Sequence, residues 1–92
     1  MPRQRLRLIY SGRVQGVGFR FTCQRLAAGF PVVGSVRNLP EGSVELVADG
    51  DSGAVAGFLA AVETAMGRKI HNVSPTPDDF PEASEDSFII RD

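Results

Sequence analysis

The chain reads as an α+β two-layer sandwich with the element order β-α-β-β-α-β, and three observations carry that reading. Residues 5–11 alternate with a period of two, two later segments repeat their apolar residues at helical spacing, and a Pro-Glu-Gly turn joins two strand-like runs in the middle of the chain. Strands and helices interleaved in this order form a split βαβ unit, with a short extra C-terminal strand beyond it.

Each element has its own warrant. In the first strand Leu6, Leu8 and Tyr10 alternate with Arg5, Arg7 and Ile9, and Gly12 ends the run. Phe19, Thr22, Cys23, Leu26 and Ala27 then fall at i, i+3, i+4, i+7 and i+8, one face of a helix that stops near Gly29 and Pro31. Residues 32–37 and 43–48 form a hairpin, because Pro40 and Gly42 stand where a type I turn with a following glycine wants them. Asp51 or Ser52 caps a second helix carrying Val55, Phe58, Leu59, Val62 and Met66 on one face, with Gly67 as its stop. Residues 70–73 predict a fourth strand, which Pro75, Pro77 and Pro81 confine to a sheet edge followed by a loop. Residues 87–91, through Phe88, Ile89 and Ile90, predict a short closing strand.

Composition narrows the functions open to such a fold. Ninety-two residues, 42% hydrophobic and 23% charged, suit one domain over residues 1–92 whose function sits on the loops of a single core. A formal charge of −1 gives no global field for nucleic acid, so an anion must be caught locally. Basic residues gather early (Arg3, Arg5, Arg7, Arg13, Arg20) and acids late (Asp78, Asp79, Glu82, Glu85, Asp86), a pattern we read as a solvated surface. With one cysteine and one histidine, the chain forms no internal disulfide and no thiolate zinc site, and no cofactor or metal is expected. No apolar run approaches a signal or membrane-spanning length, so a cytoplasmic protein without a membrane partner is expected.

The most informative stretch is Gly12-Arg13-Val14-Gln15-Gly16-Val17-Gly18-Phe19-Arg20, placed where the first strand ends and the first helix begins. Glycines let the backbone turn its N–H groups inward, the helix adds the positive end of its dipole, and Arg20 adds a planar donor set for phosphate oxygens. The loop is neither a Walker loop, which needs Gly-Lys-Ser/Thr, nor a dinucleotide fingerprint, which would require a glycine at Phe21. A second segment, Gly34-Ser35-Val36-Arg37-Asn38-Leu39-Pro40-Glu41-Gly42, puts an uncharged amide at the end of another strand.

Together these segments, with Val44 and Glu45 after Gly42, resemble the acylphosphatase family, enzymes that hydrolyse carboxyl-phosphate anhydrides. The resemblance implies a ferredoxin-like fold, an antiparallel sheet with two helices on one face. By position, Arg20 resembles the family's phosphate-binding arginine and Asn38 its water-orienting asparagine, while Gln15, Gly16, Val17, Gly18 and Phe19 would supply cradle amides. It further implies a metal-independent hydrolase in which water attacks phosphorus directly, a carboxylate leaves, no phosphoenzyme forms and the substrate phosphate receives the proton. A small acyl phosphate is the expected partner, inorganic phosphate the product and competing ligand, and a monomer the expected state. Two features depart from the pattern: Ser35 stands where the family often has an aromatic residue, and Gly29-Phe30-Pro31 replaces the usual helix ending. Residues 69–86 match the family poorly.

Other candidates weigh less. Cys23 lies on the apolar helix face with no histidine near it, so it reads as a small core residue, and His71 reads as a surface residue. Asp78 and Asp79 read as solvated acids in a proline-rich loop. An alternative function is a non-catalytic or regulatory acylphosphatase-like domain, of the kind that handles carbamoyl phosphate in hydrogenase maturation, but the zinc-finger cysteines that normally follow such a domain are not here. An RNA-binding module of the same topology needs stacking aromatics on a central strand, and residues 43–48 have none.

Overall fold

The computed structural model describes residues 2–16, 18–77 and 86–91. Its elements are β1 (Arg3–Gly12), α1 (Phe19–Ala27), β2 (Val32–Asn38), β3 (Val44–Asp51), α2 (Ser52–Met66), a 3₁₀ turn (Gly67–Lys69), β4 (Ile70–Pro77) and β5 (Phe88–Ile90). The sheet order is β4-β1-β3-β2-β5. The first four strands are antiparallel neighbours, and β5 joins the outside of β2 in parallel, with Gly34 opposite Phe88 and Val36 opposite Ile90.

Alternation decides which residues meet the helices. Leu8 and Tyr10 of β1, Val32 and Val36 of β2, and Val44, Leu46 and Ala48 of β3 share one sheet face and are buried. Both helices lay their apolar stripes on that face: Phe19, Cys23 and Ala27 from α1, and Val55, Phe58, Leu59, Val62 and Met66 from α2. Phe58 is the centre of an aromatic group, 5.2 Å from the Phe88 ring at an edge-to-face angle of 70° and 6.1 Å from Phe30. At the other end of the layer Tyr10 packs on Phe19 with ring centroids 5.1 Å apart.

Three strands run two or more residues beyond the sequence pattern, β1 by starting at Arg3 and the other two at their C-terminal ends. β3 continues to Asp51, where its pairing with β1 ends at Arg3. β4 continues through Pro75 and Pro77, which lie opposite Leu8 and Leu6. Prolines two apart occupy the same type of ladder position, and on an antiparallel edge that position directs its nitrogen away from the neighbouring strand, so neither ring costs a hydrogen bond to β1. The edge placement of this strand is as the prolines require, but the loop begins later. Pro81 and the acidic residues Asp78, Asp79, Glu82 and Glu85 lie outside the described residues.

The opposite sheet face carries charge. Asp49 forms an ion pair with Arg3 Nε at 2.9 Å and accepts from Arg5 Nη1 at 3.2 Å, and Glu45 accepts from Arg7 Nε at 2.6 Å and Arg37 Nε at 2.8 Å. Three of the early arginines are thus engaged across strands rather than left as a positive field. Burial by itself would push the Glu45 carboxyl up, but the hydrogen bonds from Arg37 and Arg7 and their charges outweigh it and hold the carboxyl below its ordinary value.

A lowered carboxyl contributes stability above its unfolded value, and that contribution is lost as pH falls through the folded value. Because the Arg7 and Arg37 side chains are 40% and 43% exposed, the contribution is the screened one. We expect Glu45→Gln to lose about 1–2 kcal/mol at neutral pH, a loss that begins to shrink below the unfolded carboxylate value near 4 and vanishes only in acid below the lowered folded value. Urea melts of both proteins across that range check it; a difference that persists undiminished into acid would contradict the ladder's role.

Candidate functional site

The loop between β1 and α1 is held on three sides. At its start Arg13 N–H donates to the Lys69 carbonyl at 2.8 Å, tying it to the turn before β4. In its middle Val14 is buried, 1% exposed, and plugs the core. Next to it the Gln15 side-chain amide donates to the carbonyls of Leu39 and Ser43, both at 2.8 Å, tying it to the β2–β3 turn.

The backbone then takes a shape that needs glycine. Gly16 and Gly18 have φ of 74° and 79°, in the left-handed region, and a Cβ at either would meet nothing within 4 Å. The requirement is torsional, not steric, and it turns the chain abruptly into α1. Val17 lies outside the described residues, so its place as a cradle amide remains the expectation stated above.

α1 begins without the usual partners for its first N–H groups. Its N-cap is Gly18, with no side-chain cap, and its first turn contains no acid. The first backbone bond is Thr22 N–H to Gly18 carbonyl at 2.9 Å. Among the described residues the N–H groups of Gly18, Phe19, Arg20 and Phe21 meet no acceptor, and the half-buried Arg20 guanidinium has no ion-pair partner. A cation at the positive end of a helix is electrostatically uphill. The arrangement is therefore set for an anion, which would satisfy donors, dipole and guanidinium at once.

Asn38 is brought to the same end of the sheet. It closes β2 opposite Val44, and Val44 on its other side lies opposite Tyr10, two residues before β1 gives way to the loop. By alternation Asn38 shares the face of Val36, the face on which α1 lies, and it is half-buried. Its neighbour Arg37 points to the other face and is engaged by Glu45. The turn that follows has the predicted form: Gly42 N–H donates to Leu39 carbonyl at 3.1 Å and Leu39 N–H to Ser43 carbonyl at 2.8 Å.

The structure thus brings the loop backbone, Arg20 and Asn38 to one sheet end. Cys23 is fully buried in the core and its thiol is pushed up to about 12 by burial, the opposite of an activated nucleophile. His71 is exposed on β4. Among the described residues no three of His, Cys, Asp and Glu come together as a metal site, and no helix is long and apolar enough to cross a membrane. What sequence reasoning missed is the work of the Gln15 side chain, which had been assigned a backbone role only. A polar side chain flanked by buried Val14 and a glycine is a weak signal that it serves the interior, and its acceptors lie 24 and 28 residues away.

Comparison with known proteins follows the same outline. A profile of the acylphosphatase family matches residues 6–90, including the stretch from Lys69 onward where the motif resemblance is poor. An acylphosphatase of Synechococcus sp. (strain CC9902) is 40% identical over 89 residues, spanning 96% of this chain and 74% of that protein. The crystal structure of acylphosphatase from Bacillus subtilis superposes with a TM-score of 0.82 at 35% identity, covering 95% of this chain and 97% of that one. T. kodakarensis HypF superposes with a TM-score of 0.80 at 22% identity, but the match covers 12% of its length and is a likeness of fold alone.

The torsional requirement at Gly18 can be tested without reference to activity. Gly18→Ala should destabilise the fold by about 1–2 kcal/mol, and Gly18→Asn, which tolerates the left-handed region better, by less. Urea melts give both values; an alanine variant as stable as the parent would mean that the loop does not hold this backbone shape.

Proposed function

The chain belongs to the acylphosphatase family, and from that premise we propose that its loop amides and Arg20 hold the phosphoryl group of an acyl phosphate while Asn38 orients the attacking water. The reaction itself is that of the family: hydrolysis of the carboxyl-phosphate anhydride of a small acyl phosphate. The observation that supports this assignment of residues is the start of α1, where among the described residues the first backbone N–H groups meet no acceptor and Arg20 stands in the same turn without an ion-pair partner.

The chemistry asks little of the protein in acid or base. Water oxygen bonds to phosphorus, the bond from phosphorus to the carboxyl oxygen breaks, and the leaving group departs as a carboxylate, stable at neutral pH without protonation. Charge on the phosphoryl oxygens is met by Arg20 and by backbone N–H groups, the latter set by the loop before substrate arrives. The Asn38 amide can accept from and donate to a water but cannot keep its proton, so the proton passes to a phosphoryl oxygen and leaves with inorganic phosphate. Positioning then supplies most of the acceleration. In this reading residues 1–92 act as a single cytoplasmic domain, monomeric, with no nucleic acid or membrane partner. The regulatory alternative has weaker support, since the HypF likeness is one of fold.

Two measurements test the site. Inorganic phosphate should compete with substrate and raise the melting temperature, by about 2.7 kcal/mol of stability at roughly 100 times its Kd, whereas chloride at matched ionic strength should not. Arg20→Ala should weaken phosphate binding and turnover together, while Asn38→Ala should keep phosphate affinity and lose kcat. Calorimetry alongside steady-state hydrolysis separates the two, and an Asn38→Ala protein with the parent's kcat would remove the role given to that amide. Since every proposed contact is an amide or a guanidinium, EDTA should leave the rate unchanged; activity lost in chelator and restored by a divalent ion would refute the scheme.

A further inference from the structure

We infer that Gln15 is a positioning residue that sets the separation between the bound phosphoryl group and the water held by Asn38; the inference rests on the site reading above. Gln15 faces both ways. Its main chain belongs to the loop before Gly16 and Gly18, and its side chain crosses to the β2–β3 turn, where Nε2 donates to Leu39 O and Ser43 O at 2.8 Å each.

These two carbonyls are not arbitrary acceptors. Ser43 O already accepts from Leu39 N–H and Leu39 O from Gly42 N–H, the two bonds that close the turn directly after Asn38. The Gln15 amide therefore binds the mouth of the turn at the first residue pair beyond the Asn38–Val44 pair. Two carbonyl acceptors demand an NH₂ group with both hydrogens used, so the orientation of the amide is dictated by chemistry. Among the described residues no other side-chain hydrogen bond joins the loop to this turn.

The consequence is geometric. The loop leaves β1 while Asn38 ends β2, and in the sheet these two strand ends are joined only through β3 between them. Without the clamp, each can shift against the other while phosphate is still bound by the loop alone. Reaction, unlike binding, needs the attacking oxygen in line with phosphorus, and an error of about 1 Å can cost on the order of a hundredfold in rate.

The test uses Gln15→Ala, Asn38→Ala and their combination in the full chain, with kcat, KM and phosphate affinity measured for each. Gln15→Ala should lower kcat by about 10- to 100-fold with phosphate affinity changed by less than about threefold. In the Asn38→Ala background the same change should add less than about threefold, because the residue acts through Asn38. Full additivity, or a loss of phosphate affinity as large as the loss of kcat, would overturn the inference. An unchanged kcat in Gln15→Ala beside an impaired Asn38→Ala would overturn it while leaving the site reading intact; an unchanged kcat in Asn38→Ala would remove the site reading itself. Should Gln15→Ala fail to fold, Gln15→Glu serves: an ionised carboxylate cannot donate to the two carbonyls, whereas its protonated form offers one donor, so its kcat relative to the parent should rise as pH is lowered from about 8 to about 5. A flat ratio would overturn the proposal.

Discussion

Val44 lies opposite Tyr10 on one side and Asn38 on the other, and most of what the molecule does depends on that row of three. Tyr10 fixes where β1 hands over to the glycine loop, and Asn38 ends β2. β3 is the ruler against which both are set. A slip of one residue in the β2–β3 pairing would send Asn38 to the charged face together with Val36, and a slip in the β1–β3 pairing would turn Leu8 and Tyr10 out of the core, so the core and the site enforce the same register. The row lies on the uniformly apolar face of the central strands, whereas their outer face mixes Ile9, Val33 and Val47 with charge. Their inner residues hold the helices, and the site is a by-product of where that packing ends.

Charge is distributed to the same end. With ten basic and eleven acidic residues the chain has no surplus of either sign to offer. Asp49 and Glu45 engage Arg3, Arg5, Arg7 and Arg37 on the outer face, and the start of α1 carries no acid at all. Attraction for an anion thus comes from local neutralisation elsewhere as much as from Arg20 itself. Because Glu45 stands beside Arg37, one residue from Asn38, the outer ladder also holds the strand end on which Asn38 sits.

The local and periodic features were legible in the sequence: both helix faces, the alternation of β1, the Pro40–Gly42 turn and the glycine loop are each written within a few consecutive residues. So was the likeness that pointed to Arg20 and Asn38, because the two motifs are contiguous. What escaped is long-range. The ion pairs of Glu45 with Arg7 and Asp49 with Arg5 join residues 38 and 44 apart, and the Gln15 clamp joins residues 24 and 28 apart; no local window contains both partners. The parallel seat of β5 beside β2 was hidden for the same reason. β4 continues past Val73, where the prolines predict a loop, because at an outward-directed edge position proline is only a missing donor.

That missing donor affects how the molecule meets its neighbours. In the outer row of β4, positions 73, 75 and 77 direct their nitrogens away from β1, and two of the three are proline. A foreign strand approaching this margin would find carbonyls but almost no N–H to pair with, and at the far margin β5 offers only three residues. An open five-stranded sheet is ordinarily an invitation to fibre growth. Here both borders are poor templates, so crowding should bring molecules into collision without letting one sheet continue into the next.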